Sequence, residues 1–520
     1  MKNHKNLLLS IAINSLLGLN GISLVEAATE KEIAAQAELE RQRNEKAQIL
    51  LRKKEVEKEE YIKKNGYYKE AGSYGTKRLT TPPPYSRNLS KTGIASLKDV
   101  TWLDVGANFR FRYEYRDGDI RRKTALVDEP LLFKTRVYVG VKEILDPFRF
   151  AIEVQDSRRY NSHFATDVRD VNEFEIISGY GELYFKNALG EDDLGNARPF
   201  SFKFGRFNFE FLDRRLIGSN EWRNTTNTFQ GFQTMLGEDK NDWQLDLLAL
   251  QPLDRLKYDF DQVVDEQWFA AAIGHWRKWS DIITLEPYYL QLRQTASANN
   301  GFVNKEIHAT ALRGYGWIGD SGFNYDFNGI YQFGTNGTQA HDAYGFTGEV
   351  GYTFEHEWKP RLSTSYGYAS GDNNPNDNKD ERFERFFGFA RPWSADDYIV
   401  FENVIAPKVR LELEPSKKFR LDTGYSLFWL ASDTDRFNNL NTVPESNGLN
   451  RDKTGKSGDF LGHSFDIRAR YKVDPRVETT LGYSHFTTGD FVRNIQDKSR
   501  GSHSDDTDFF YVEVTVNAFE

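Results

Sequence analysis

From about residue 104 to the C-terminus, apolar and polar side chains alternate with a period of two. In 105–116, Val105, Ala107, Phe109, Phe111, Tyr113 and Tyr115 share one face, and Asn108, Arg110, Arg112, Glu114 and Arg116 share the other. In 133–142, Phe133, Val137, Val139 and Val141 oppose Lys134, Arg136, Tyr138 and Lys142. The same alternation sets Arg420 and Asp422 against Phe419, Leu421 and Tyr425, and Asp466, Arg468, Arg470 and Lys472 against Phe465, Ile467, Ala469 and Tyr471. Such a period reads as strands with two unlike faces. About 18 such segments follow one another, commonly about 8 to 12 residues long. Short turns such as Leu145-Asp146-Pro147 and Val473-Asp474-Pro475 alternate with long polar loops at 157–176, 371–384 and 432–459. The pattern predicts an all-β fold over residues 100–520, a transmembrane antiparallel up-and-down barrel of about 18 strands. A soluble sandwich also alternates, but strands this long and numerous favour the barrel.

An arginine facing lipid at the bilayer midplane costs roughly 2–4 kcal/mol. Arg110, Arg112, Arg136, Arg468 and Arg470 together would make that orientation intolerable, so the charged face is expected inside and the aromatic, β-branched face outside. A barrel of this size is too wide for its wall side chains to fill, so it encloses water unless loops plug it. In the last strand, Phe510, Val512, Val514, Val516 and Ala518 take the lipid face, with Phe519 on the other parity.

The N-terminal hundred residues read differently. Lys2 and Lys5, an apolar stretch from Leu7 to Leu19, and Val25-Glu26-Ala27 have the layout of a cleaved secretory signal peptide over 1–27. Residues 28–65 form a Glu/Lys/Arg/Gln-rich helical arm without a sustained heptad seam, a candidate to meet a periplasmic partner through 30–64. Residues 66–99 turn to Gly, Tyr, Ser and Thr, with Pro82-Pro83-Pro84 as a stiff break, and read as a linker.

The chain of 520 residues has no Cys and a net charge of −9, which gives no reason to expect a nucleic-acid partner. No segment beyond the N-terminus is apolar enough over about 18 residues to be a spanning helix. No phosphate loop, dinucleotide fingerprint or nucleophile–base pair stands out, so no cofactor and no enzymatic activity are expected. His275, His341, His463 and His503 read as loop or strand-end residues. Asp372 and Asp377, in the loop 371–381, are weak candidates for a calcium site, and a solvated loop is the simpler reading.

The most specific local signature lies at 205–231: Gly205-Arg206, Arg214-Arg215-Leu216 with Gly218, Trp222, and Phe229 with Gly231. With Gln155-Asp156-Ser157-Arg158, the Phe133–Arg136 strand and Gly367-Tyr368-Ala369-Ser370-Gly371-Asp372, it resembles the alginate export family of outer-membrane porins over roughly 100–520. Gln230 stands where the family shows Asp. The resemblance implies a monomeric barrel in the outer membrane of a Gram-negative-type bacterium. It also implies that an anionic, alginate-like exopolysaccharide passes outward through an arginine-rich constriction.

The residues point the same way. Arg110, Arg112, Lys134, Arg136, Arg149, Arg410, Arg468 and Arg470 fall on the inward parity, with Glu114 and Asp466 among the acids there. Arg206, Arg214 and Arg215 sit where an inward-folded loop would aim them at the pore. Because a barrel closes its first strand on its last, the two basic groups are expected to form one continuous wall. Guanidinium forks suit uronate carboxylates. The alternatives are a diffusion porin for small organic anions, and lumen arginines that brace the wall whatever passes.

Overall fold

The computed structural model describes residues 30–67, 72–73, 80–122, 125–211, 213–374, 376–437, 451–499 and 505–519. The expected signal peptide at 1–27 and His503 lie outside them. Helix α1 (Glu30–Asn65) is charged throughout, and its side chains from Gln36 to Lys53 are exposed. The chain divides into a unit ending at Lys64 and a second that runs from Asn65 to Glu520.

Among the described residues, the second unit is a closed antiparallel barrel of 18 long strands. In chain order these are β1 (Leu103–Asp117), β2 (Leu131–Val141), β3 (Phe148–Tyr160), β4 (Asn172–Phe185), β5 (Phe200–Phe207) and β6 (Phe229–Leu236). They continue with β7 (Trp243–Asp254), β8 (Gln267–Trp276), β9 (Thr284–Gln294), β10 (Lys305–Trp317), β11 (Phe323–Asn336) and β12 (Gln339–Thr353). The last six are β13 (Arg361–Ala369), β14 (Val404–Ser416), β15 (Phe419–Trp429), β16 (Phe460–Asp474), β17 (Val477–Thr488) and β18 (Thr507–Asn517). Each pairs with its sequence neighbour, and β1 closes on β18 from Asn108↔Asn517 to Asp117↔Asp508. Closure removes the free sheet edge that hydrocarbon would not tolerate.

Burial is inverted relative to a soluble protein. Phe109 is 41% exposed and Val137 42%, while Arg112, between their strands' inward positions, is 2% exposed. Outside apolar and inside charged is what a lipid solvent selects. Most connections at one end are short turns, with 186–199 the exception, and most of the longer connections lie at the other. The loop at 157–176 is shorter than its sequence suggests, because β3 runs on to Tyr160.

Two of the long loops fold into the barrel. Loop 208–228 and loop 370–403 meet at an Ile217↔Phe387 bridge. Their apolar side chains pack on inward positions of β6–β10, where Leu250, Phe269, Leu290, Ile307 and Ala309 are buried. The polar lumen expected from β1 and β16 is therefore replaced on this side by a dry wall, because the inward positions of β7 and β8 towards the long loops, Leu248, Leu250, Phe269, Ala271 and Ile273, are apolar.

Part of the segment read as a linker belongs to the barrel. Ser86–Asn88 pairs antiparallel with β1 at Gly106, Val105 and Asp104, just beyond the stretch that β18 covers. A Cβ on Gly106 would lie 2.8 Å from the Ser86 Cα, so only glycine admits this approach. The Tyr85 hydroxyl donates to Glu153 on β3, and the Ser73 hydroxyl to Asp326 on β11, on nearly opposite sides of the ring. Gly72 lies where a Cβ would collide with the Arg361 guanidinium.

Candidate functional site

The lumen site is built around loop 208–228, held by the inward side chains of β1–β3. Arg110 donates to the carbonyls of Glu221 at 2.8 Å and Arg223 at 2.9 Å, and Arg112 to that of Trp222 at 2.6 Å. Lys134 reaches the Arg223 carbonyl at 3.1 Å. The Ser157 hydroxyl donates to the Asn224 carbonyl at 2.6 Å, and Thr226 to Gln155 at 2.8 Å. The Asn224 amide returns three bonds, to the carbonyls of Phe133, Arg158 and Asp170. Period two aims these side chains inward, and the loop's backbone takes up what they offer. The sequence motif containing Trp222 is thus a docking motif, and Gln155 and Ser157 are its receptors.

Acids complete the frame. Glu114 pairs with Arg112 at 2.8 Å, and Glu513 lies 3.3 Å from Arg112 and 3.6 Å from Arg110. Arg136 pairs with Glu221 at 2.8 Å. Burial opposes the charge on this loop glutamate, but Arg136, Lys134 and Arg110 outweigh it and pull its carboxyl down to about 2. The Trp222 ring lies beneath two guanidiniums, Arg112 at 3.9 Å and Arg391 at 3.6 Å.

Loop 370–403 is anchored on β16 and β17. Asp396 accepts from the Ser464 hydroxyl and, at 2.6 Å, from that of Ser484, and the Ala395 amide donates to Asp466 at 2.9 Å. Asp466 also lies 3.6 Å from Lys408. Arg116 donates to the Asp396 carbonyl at 3.0 Å. Arg223 joins the two loops by pairing with Asp397 at 2.7 Å. Burial and the nearby Arg169, Arg121 and Arg255 lower the Arg223 guanidinium to about 10 against the pull of Asp397.

A second basic group lies on β14–β16, towards the short-turn end. Arg410 pairs with Glu412, while Arg468 and Arg470 share Asp422 at 3.1 and 3.4 Å. The side chains of Arg468 and Arg470 are 30% and 31% exposed, whereas that of Arg112 is 2% exposed. The continuous basic wall expected from the sequence is not formed. Strands β17 and β18 stand between the two groups, and their inward positions there are Thr480, Gly482, Tyr511, Glu513 and Thr515.

The remaining expected residues divide. Arg214 pairs with Glu210 at 2.7 Å inside the inward loop. Arg215 pairs with Asp213, donates to the Pro392 carbonyl at 3.2 Å and lies over Trp393. Arg206 is drawn to Glu175 and to the Asp261 carbonyl, between β4 and loop 255–266. Arg149 sits at a short turn, 3.0 Å from Asp146 and over the Tyr184 ring. Asp372 pairs with Arg451 at 3.3 Å and Asp377 accepts from the Lys379 amide. Among the described residues no three His or acidic groups gather into a cation site. The described histidines lie at or near strand ends, as the sequence reading has them. His275 is buried within β8 between Glu286 at 2.8 Å and Asp246 at 3.1 Å, and His341 lies within β12 beside Asp380 at 3.0 Å. His463 lies within β16.

Among the described residues the loops leave two larger chambers. One, of about 420 Å³, opens towards the long-loop side and is lined by Arg169, Arg223, Arg255 and Arg385 with Asp254 and Asp397. The other, of about 360 Å³, lies on the short-turn side between loop 208–228 and residues 80–85.

The family model for alginate export matches residues 101–504. The chain belongs to the alginate export family. Residues 80–100, with Tyr85 and the Ser86–Asn88 pairing, precede the matched range. No curated protein matches the sequence. Solved structures share the fold. Pseudomonas aeruginosa OccD3 is 14% identical at a TM-score of 0.53, covering 80% of this chain and 91% of that one. P. aeruginosa OccK2, solved in complex with glucuronate, is 11% identical at a TM-score of 0.53 over 80% and 97%. The P. aeruginosa outer membrane protein OprD is 11% identical at a TM-score of 0.50 over 79% and 93%. Family and fold are those of outer-membrane channels, and the protein is an outer-membrane β-barrel of the Gram-negative type.

Proposed function

We propose that the barrel passes an anionic, alginate-like polysaccharide, with export as its direction and no catalytic step. The observation that carries this reading is the solvent-facing guanidinium set on β14–β16. Arg410, Arg468 and Arg470 stand on alternate inward positions, and the Asp422 that Arg468 and Arg470 share is held against the wall. A row of similar cations, each partly neutralised, offers a carboxylate chain many weak equivalent contacts, which lets it slide. Arginine's planar fork matches a carboxylate in two bonds at once. One chain closes the ring by itself, so each pore is formed by a single chain.

A second reading, a diffusion channel for small organic anions, is favoured by the firm anchoring of both inward loops, which leaves chambers rather than a wide bore. Planar-bilayer recordings decide. A channel for a polyuronate prefers anions, and added oligouronate interrupts its current for times that lengthen with chain length. Interruption independent of chain length points to the small-anion channel, and cation preference overturns both.

A further inference from the structure

We propose that the short-turn-side chamber is a binding subsite for a single sugar acid, with Lys203 taking the carboxylate and residues 80–85 forming its floor. This deepens, and rests on, the reading of the barrel as a channel for anionic saccharides.

Lys203 points inward from β5 and is 5% exposed. Among the described residues its ammonium makes no hydrogen bond and no ion pair, yet it lines the chamber. The acids nearby are already engaged. Glu182, its cross-strand partner, accepts from the Ser201 hydroxyl. Glu153 accepts from Tyr85, Glu210 pairs with Arg214, and Glu221 pairs with Arg136. Buried with no carboxylate in direct ion-pair contact among the described residues, the ammonium gains from an anion that enters the chamber.

The rest of the lining fits a sugar ring. The ammonium lies 4.6 Å from the Tyr180 ring centre and 5.5 Å from that of Phe207. Tyr85 and Tyr138 add aromatic faces for the apolar C–H side of a pyranose, and Asn108 and Asn517 bring amides for hydroxyls. About 360 Å³ falls within the range of small-ligand pockets, roughly 300–1,000 Å³. Thr80, Thr81 and Pro83 to Tyr85 complete the chamber from a segment that precedes the family match.

The test is calorimetric titration of the detergent-purified full chain with D-glucuronate, with D-glucose as the uncharged comparison. Wild type binds glucuronate at one site and glucose more weakly. Lys203→Met weakens glucuronate at least about tenfold while leaving glucose unchanged, and Lys203→Arg restores most of it. Lys240→Met, the same charge change at an exposed position near the same mouth, leaves binding unaltered. Heat-modifiable gel mobility checks that each variant is folded. No glucuronate binding in wild type, equal binding in Lys203→Met, or equal loss in Lys240→Met overturns the subsite. Bilayer selectivity is read separately. An anion-selective channel whose glucuronate binding ignores Lys203 loses the subsite and keeps the channel reading. Lys203-dependent binding in a cation-selective channel does the reverse.

Discussion

The two basic groups inside the barrel are made of the same residue type on the same parity, yet they do different work. On β1–β3, Arg110, Arg112 and Lys134 are spent on the backbone of loop 208–228, and little of them meets solvent. On β14–β16, Arg468 and Arg470 share the wall acid Asp422 and remain about a third exposed. The difference lies in what approaches them. A loop offers carbonyls to the first group, and loop 370–403 reaches its own anchors at Ser464 and Ser484, further from the short-turn end. A count of inward cations therefore overstates the charge available to a permeating anion.

The sharpest way to break this comparison is to remove the first group. Arg110→Ala with Arg112→Ala strands the buried carbonyls of residues 221–223, each at a cost of about 1–3 kcal/mol. Loop 208–228 should undock and single-channel conductance should rise severalfold; an unchanged conductance would show that the loop holds itself. Arg468→Ala with Arg470→Ala should act oppositely. Conductance should change little, anion preference should fall severalfold in reversal-potential measurements, and thermal stability should hold, because solvent-exposed pairs contribute about 0.2–1 kcal/mol.

Salt sharpens the contrast. Raising KCl from about 0.1 to 1 M shortens the screening length from about 10 to 3 Å. Wild-type anion preference should drop, whereas the Arg468/Arg470 variant should show little further loss.

The smallest effect concerns pH. Burial and the neighbouring Asp466 push Asp396 up to about 6, against the hydroxyl bonds from Ser464 and Ser484. A carboxyl raised above its ordinary value of 3.8 stabilises the docked loop fully below that pH, and the contribution is lost as pH rises through about 6. Current fluctuations should therefore increase from pH 4 to pH 7, and Asp396→Asn should flatten that dependence.

Much of the barrel was legible because lipid imposes a simple rule: Phe109 out and Arg110 in, strand after strand. The interruption of the basic wall was also written in β17 and β18, where Thr480, Gly482 and Glu513 hold the parity. The dry wall had a weaker signal, the near-continuous apolar run of β7. What the pattern does not carry is loop docking. The bond from Arg112 to the Trp222 carbonyl joins a periodic residue to a backbone group in an aperiodic segment, and carbonyls leave no mark in a sequence. Lys203 shares the inward parity of many other cations, and only the disposition of its neighbours sets it apart. The burial of His275 between two acids on separate strands depends on cross-strand register, which a single chain of letters does not display.

The three residues Ser86–Asn88 carry a consequence for the membrane around the barrel. The stagger at closure leaves a few amide and carbonyl groups of β1 beyond the reach of β18, the one stretch of the seam where a strand from elsewhere would find purchase. The protein dresses that gap with its own upstream chain, so the seam presents no invitation to a neighbouring barrel or to an unfolded chain waiting for insertion.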